Sequence, residues 1–172
     1  MRFKKTIILC SAFLLLLALW AWFTRPISAS DGLKDRKLVQ VSVAYYTITP
    51  GATGGDSLDA IYTHDPSKMQ KVVSLMDQFP CNKKLLNRSP NDPSHFVVAH
   101  MMQVGLYYQT KDKKDAILNY LIESDGYIMI ADWGQQFHDY GAGRFGSKKG
   151  KEYYQKMMAL FDQGKSDPSW EK

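Results

Sequence analysis

The chain has 172 residues, room for one domain with one core, and it is 45% hydrophobic with ten Tyr and eight Met, which excludes a disordered tail because disorder needs low hydrophobicity and high net charge. Its formal charge of +5 would suit a nucleic-acid binder, but Arg2, Lys4, Lys5 and Arg25 stand in the first 25 residues without an acid, leaving about +1 for residues 26–172. A DNA or RNA binder concentrates Lys and Arg on its folded domain, so nucleic acid is not an expected partner.

Thr6 to Phe23 reads TIILCSAFLLLLALWAWF, eighteen residues with no charge. At 1.5 Å per residue that is about 27 Å of helix, close to the roughly 30 Å hydrocarbon core of a bilayer. Trp20, Trp22 and Phe23 gather where rings favour the headgroup region, and Arg25 and Pro26 close the stretch. The expectation is a signal anchor over 6–23, preceded by a cytoplasmic tail at 1–5. Arg2, Lys4 and Lys5 crowd that short tail, which orients the N-terminus to the cytoplasm and the domain outside it. The alternative is cleavage near Ser28-Ala29-Ser30 and release of a secreted protein, although the apolar run exceeds the 7 to 15 residues usual in a signal peptide, roughly, and ends in bulky rings. Cys10 lies in that run and Cys81 in the domain, so the two are not expected to pair, and Cys81 is expected to be buried.

Residues 24–37 are polar and without apolar periodicity, and read as a juxtamembrane linker. The extracytoplasmic domain is expected over 38–164. Val39, Val41, Val43 and Tyr45 alternate with more polar neighbours in the period of a strand, and Leu58 to His64 is expected to form a second. Asp65-Pro66 opens a helix, with Asp as cap and Pro at the first position, and Met69, Val72, Val73 and Met76 give it one apolar stripe until Phe79-Pro80 ends it. After a Pro-rich loop at 87–94, strands are expected over His95–Tyr108, Ala116–Ile122 and Tyr127–Ala131. Their turns, KDKK at 111–114 and Ser124-Asp125-Gly126, are short enough to force an antiparallel meander. Ser147 caps a last helix, stopped by Gly164, and residues 165–172 read as a flexible tail. The fold class is α+β: an N-terminal transmembrane helix, then an antiparallel sheet in a meander with two helices packed on one face.

No stretch reaches the standard of a catalytic signature. The densest set of functional side chains is DWGQQFHDY, after the last expected strand, holding Asp132, Trp133, His138, Asp139 and Tyr140. A carboxylate beside His138 could tune it as a general base, so Asp132, His138 and Asp139 are the candidates if the protein is a cell-envelope hydrolase. His95 and His100 are five apart on one expected strand and so face opposite ways, His64 has no partner at ligand spacing, and no HExxH or paired-Cys motif occurs; no metal is expected. Gly141, Gly143 and Gly146 spell GxGxxG, but a dinucleotide loop needs a βαβ turn, so no cofactor is expected.

Arg144, Lys148, Lys149 and Lys151 crowd the start of the last helix, where the dipole disfavours cations. Free N–H groups and several cations there suit an anion, and Trp133 and Tyr140 stand close by in sequence. The expected partners are the bilayer, through the N-terminal helix, and an envelope protein, an anionic polymer or a lipid headgroup, through the domain. The reading is a non-catalytic, membrane-anchored binding domain, with the hydrolase and a cleaved inhibitor or toxin as alternatives.

Overall fold

The computed structural model describes residues 2–48, 57–84, 99–132, 134–142 and 147–172, with the side chains of residues 2–6, 8, 48, 57–58, 99 and 147 left aside. In chain order the described residues form helix α1 (Arg2–Phe23), strand β1 (Pro26–Ile27), the single turn α2 (Ala29–Gly32), β2 (Lys37–Ile48), β3 (Ser57–Thr63), α3 (Pro66–Asp77), β4 (Cys81–Lys83), β5 (Ala99–Gln109), β6 (Asp115–Glu123), β7 (Tyr127–Ala131), β8 (His138–Ala142) and α4 (Ser147–Ser166).

All eight strands join one antiparallel sheet in the order β1-β4-β8-β7-β6-β5-β2-β3. The meander is the run β5 to β8, one strand longer than the sequence predicts. The hairpin β2–β3 extends it on one side, and α3 carries the chain across to β4 on the other. The turn between β6 and β7 has Gly126 at φ 92°, the left-handed backbone for which glycine is suited. Asp65 caps α3 as expected, accepting from the amides of Ser67 and Lys68 at 2.8 and 3.0 Å; such a cap contributes about 1 kcal/mol.

Register decides what each strand buries. Val43, Val104, Tyr120, Ile130 and His138 lie in one cross-strand row, and alternation puts their neighbours two residues away on the same face. That face carries the core: α3 lays Met69, Val72, Val73 and Met76 on it, and α4 adds Tyr153, Met157, Leu160 and Phe161. Phe79 stacks on Tyr153 with centroids 4.9 Å apart. Two helices on one face of the sheet is thus the observed arrangement.

Four sequence expectations are corrected. The linker at 24–37 is built into the fold: β1 pairs with β4, Ala29 is buried, and Ser28 and Asp31 cap α2 reciprocally. The tail at 165–172 is likewise tied down. Trp170 is buried, Glu171 exchanges two backbone bonds with Tyr62, and Lys68 pairs with Asp167 at 3.0 Å. Gly164 does not stop α4; it lies inside the helix, where a Cβ would come within 2.3 Å of Ile61 Cδ1, so its role is close approach to β3. The polar loop expected over Asp132 to Tyr140 is half strand, because β8 begins at His138.

Cys81 is buried, donates its thiol to the Phe79 carbonyl at 3.3 Å, and has its pKa pushed up to about 12 by burial. The thiolate is the reactive form. Iodoacetamide at pH 8 is therefore expected to label Cys81 only after denaturation; native labelling at Cys81, read by mass spectrometry, would contradict this packing.

Among the described residues no helix is long and apolar enough to cross a membrane. The large apolar side chains described in α1 are nonetheless exposed, including Leu9 at 72% and Phe13 at 62%. The base of α1 is fixed to the domain: Asn82 donates its side-chain amide to the Thr24 carbonyl, and the Lys83 ammonium lies 5.2 Å from the Phe23 ring centroid.

Candidate functional site

β7 ends at Ala131, so Asp132 leaves the sheet beside the core face. Its carboxylate meets Arg36 Nη2 at 2.8 Å and accepts from the Tyr108 hydroxyl at 2.5 Å. Arg36 lies over the Tyr108 ring, 4.4 Å from its centroid. The Asp132 bond raises the Arg36 pKa, and burial together with that bond pushes the Tyr108 hydroxyl up to about 12. Asp132 thus ties Tyr108 of β5 to Arg36, the residue before β2, with its charge already matched. Gly134, at φ 71°, and the bond from the Gln135 amide to the Asp132 carbonyl, 2.9 Å, turn the chain back into β8.

In β8 the period of two separates the residues that are adjacent in sequence. His138 pairs with Ile130 and Tyr140 with Ile128, on the core face, whereas Asp139 pairs with Met129 on the other. Asp139 is buried on that outer side. Side by side in the sequence, His138 and Asp139 therefore do not form the carboxylate–imidazole pair that a general base would use.

His138 and Tyr140 instead line a cavity of about 160 Å³. Its floor is the core face, with Leu118, Tyr120 and Ile130. Lys83, registered opposite Tyr140, closes the side toward β4. Asp132 and Gln135 reach it from the turn, and Ile27 and Gly32 from β1 and α2. Glycine at position 32 is what leaves the space open: a Cβ there would come within 2.7 Å of Leu118 Cδ2 and 3.9 Å of the Tyr120 hydroxyl. Burial raises the pKa of Tyr140 and takes that of Tyr120 well above the ordinary phenol value, so both hydroxyls are protonated donors.

The remaining candidates lie elsewhere. Trp133, Gly143, Arg144 and Gly146, like His95, fall outside the described residues. Lys148, Lys149 and Lys151 are exposed in the first turn of α4, and none of them pairs with an acid among the described residues. They do not line the cavity that holds Tyr140, so the two parts of the expected anion site are separate. His64 Nδ1 donates to the Val39 carbonyl at 3.1 Å, and His100 stacks on Tyr45 and bonds its hydroxyl. Among the described residues no group of three His, Cys, Asp or Glu is placed to hold a metal.

Lys83, Tyr120, Gln135 and Arg36 were not legible as site residues. Tyr120 belongs to the alternating run Ala116, Leu118, Tyr120, Ile122, which marks a core face without saying where a helix leaves it uncovered. Lys83 sits on a three-residue strand, too short to show a period. Compared with known protein families, with characterised proteins and with solved structures, the chain matches none.

Proposed function

We propose that this protein is a single-pass, membrane-anchored binding domain, with α1 as the span, the N-terminus in the cytoplasm, and a non-catalytic domain outside it. The observation that carries the anchoring is the exposure of apolar side chains all round α1, Leu9, Phe13, Leu14, Leu15, Leu16 and Trp22 among them. A helix that is apolar on every side, with no protein packed on it, finds its partner in lipid. The uncharged run begins at Thr6, and Thr6 and Ile8 lie beyond the described side chains; counted with them it reaches the length of a span. Trp20 and Trp22 at its domain end, with Arg25 over the Trp22 ring at 5.8 Å, suit the headgroup layer.

Support for binding over catalysis comes from the disposition of Asp132, His138 and Asp139. One carboxylate is bridged by Arg36 and Tyr108 and the other faces away from the imidazole. What favours the alternative, an envelope hydrolase, is that Asp132 and His138 border one cavity. The partner for the domain is a lipid headgroup, an anionic polymer or an envelope protein, and exposed Lys148, Lys149 and Lys151 are one surface for it.

Alkaline carbonate extraction of cells expressing the full chain tests the anchor. The expected result is a 19.6 kDa band in the membrane pellet, with the domain digested by protease added outside the cytoplasmic membrane. A trimmed polypeptide free in the medium would overturn it.

A further inference from the structure

The cavity at the foot of α1 has more hydrogen-bond donors than the domain itself satisfies. Tyr120 is only 3% exposed as a residue, and it lines the cavity with half-buried His138 and Tyr140 and exposed Gln135, none of their side chains bonded to a described residue. Lys83 pairs with no acid among the described residues. The one carboxylate at the edge, Asp132, is already held by Arg36 and Tyr108. Phenol and amide donors together with an ammonium around one small space favour an acceptor-rich, negatively charged group. An acceptor-rich anion would complement that set of donors.

Size and position narrow its chemistry. At about 30 Å³ per water, a 160 Å³ space admits a small oxyanion and a few carbons, not a polymer. A phosphate offers three strong acceptor oxygens, enough for an ammonium and two phenols together, where a carboxylate offers two. The opening also adjoins the domain end of α1, since Lys83 contacts Phe23 and Ile27 lines the wall.

We infer that this cavity binds a phosphomonoester anion, carried by a lipid headgroup of the phosphatidic acid kind or free in solution, with Lys83, Tyr120 and Tyr140 as its principal donors. The inference gives the binding domain proposed above its ligand chemistry, and the headgroup source alone rests on the insertion of α1.

The test is calorimetric titration of the full chain in neutral detergent with glycerol 3-phosphate, repeated in phosphatidylcholine nanodiscs with and without phosphatidic acid. Saturable binding is expected, weakened by about tenfold or more in Lys83→Gln, weakened less in Tyr140→Phe, restored in Lys83→Arg, and unchanged when exposed Lys111, Lys113 and Lys114 are all Gln. Competition by phosphatidic acid but not phosphatidylcholine identifies the headgroup as source; binding without competition identifies the free ester. Absence of saturable binding in every setting, or full affinity in a Lys83→Gln protein that melts like the wild type, would overturn the site. Carbonate extraction of the same variants reads the anchor separately, because Lys83→Gln leaves it intact: loss of pelleting with binding retained removes the anchor and keeps the site.

Discussion

Gly150→Ala is expected to destabilise the domain by about 2 kcal/mol or more, the cost of overpacking less the gain in helix propensity. Gly150 lies in the first turns of α4, where the helix crosses the β6–β7 turn. A Cβ at that position would stand 2.0 Å from the Gly126 carbonyl oxygen and 2.7 Å from its carbon, so the obstruction is backbone and cannot rotate away. The turn cannot yield either, since Gly126 donates to the Glu123 carbonyl at 2.9 Å and Tyr127 to the Asp125 carboxylate at 2.9 Å. The helix must then lift, and with it Tyr153 and Met157, both fully buried. In an ordinary exposed helix the same change stabilises by up to about 1 kcal/mol, which makes its sign diagnostic. Urea unfolding of the full chain in detergent measures it, with exposed Lys149→Ala as the control; a Gly150→Ala protein as stable as the wild type would show that α4 does not press on this turn.

The same glycine shows where the sequence is legible and where it is not. Periodicity reports what an element buries over several residues, so the strands at β2, β5, β6 and β7 and the stripe of α3 could be read, as could the turn at Gly126 and the cap at Asp65. It is silent on short elements and on contacts between distant parts. β1 has two residues and β4 three, and both exist because α3 returns the chain to the far edge of the sheet. β8 reads HDYGA, polar on the face that turns inward, because that face borders a cavity and not a packed core. Gly164 looks like a stop signal in one dimension and, like Gly150, is a contact point in three. Of the candidate site, His138, Tyr140 and Asp132 could be named from their types, but the alternation that sets Asp139 against His138 appears only once β8 is known to be a strand, and Lys83 enters only through register with Tyr140.

Placing arginine at both Leu14 and Leu16 is expected to release the chain from the carbonate-resistant pellet. Each site is 64% exposed in the isolated molecule, so neither substitution removes a contact within the protein. The effect belongs to the surroundings of α1 alone. At the centre of a span, an arginine costs about 2.5 to 3.5 kcal/mol on the insertion scale, and the pair, taken as additive, shifts membrane partition by about 10⁴-fold or more. One arginine could escape by extending its head to the interface. Two residues apart on a helix of 3.6 residues per turn means about 200° of rotation, so no single tilt or roll serves both. The domain should melt as before, because the ties at its junction with α1, Asn82 to the Thr24 carbonyl and Lys83 over Phe23, lie two to three turns away. Leu14→Ala with Leu16→Ala should stay in the pellet, since alanine removes bulk without adding charge. If the double arginine chain remains in the pellet at its full length, the apolar surface of α1 is not what holds the protein to the membrane, and the exposed leucines need a protein partner instead.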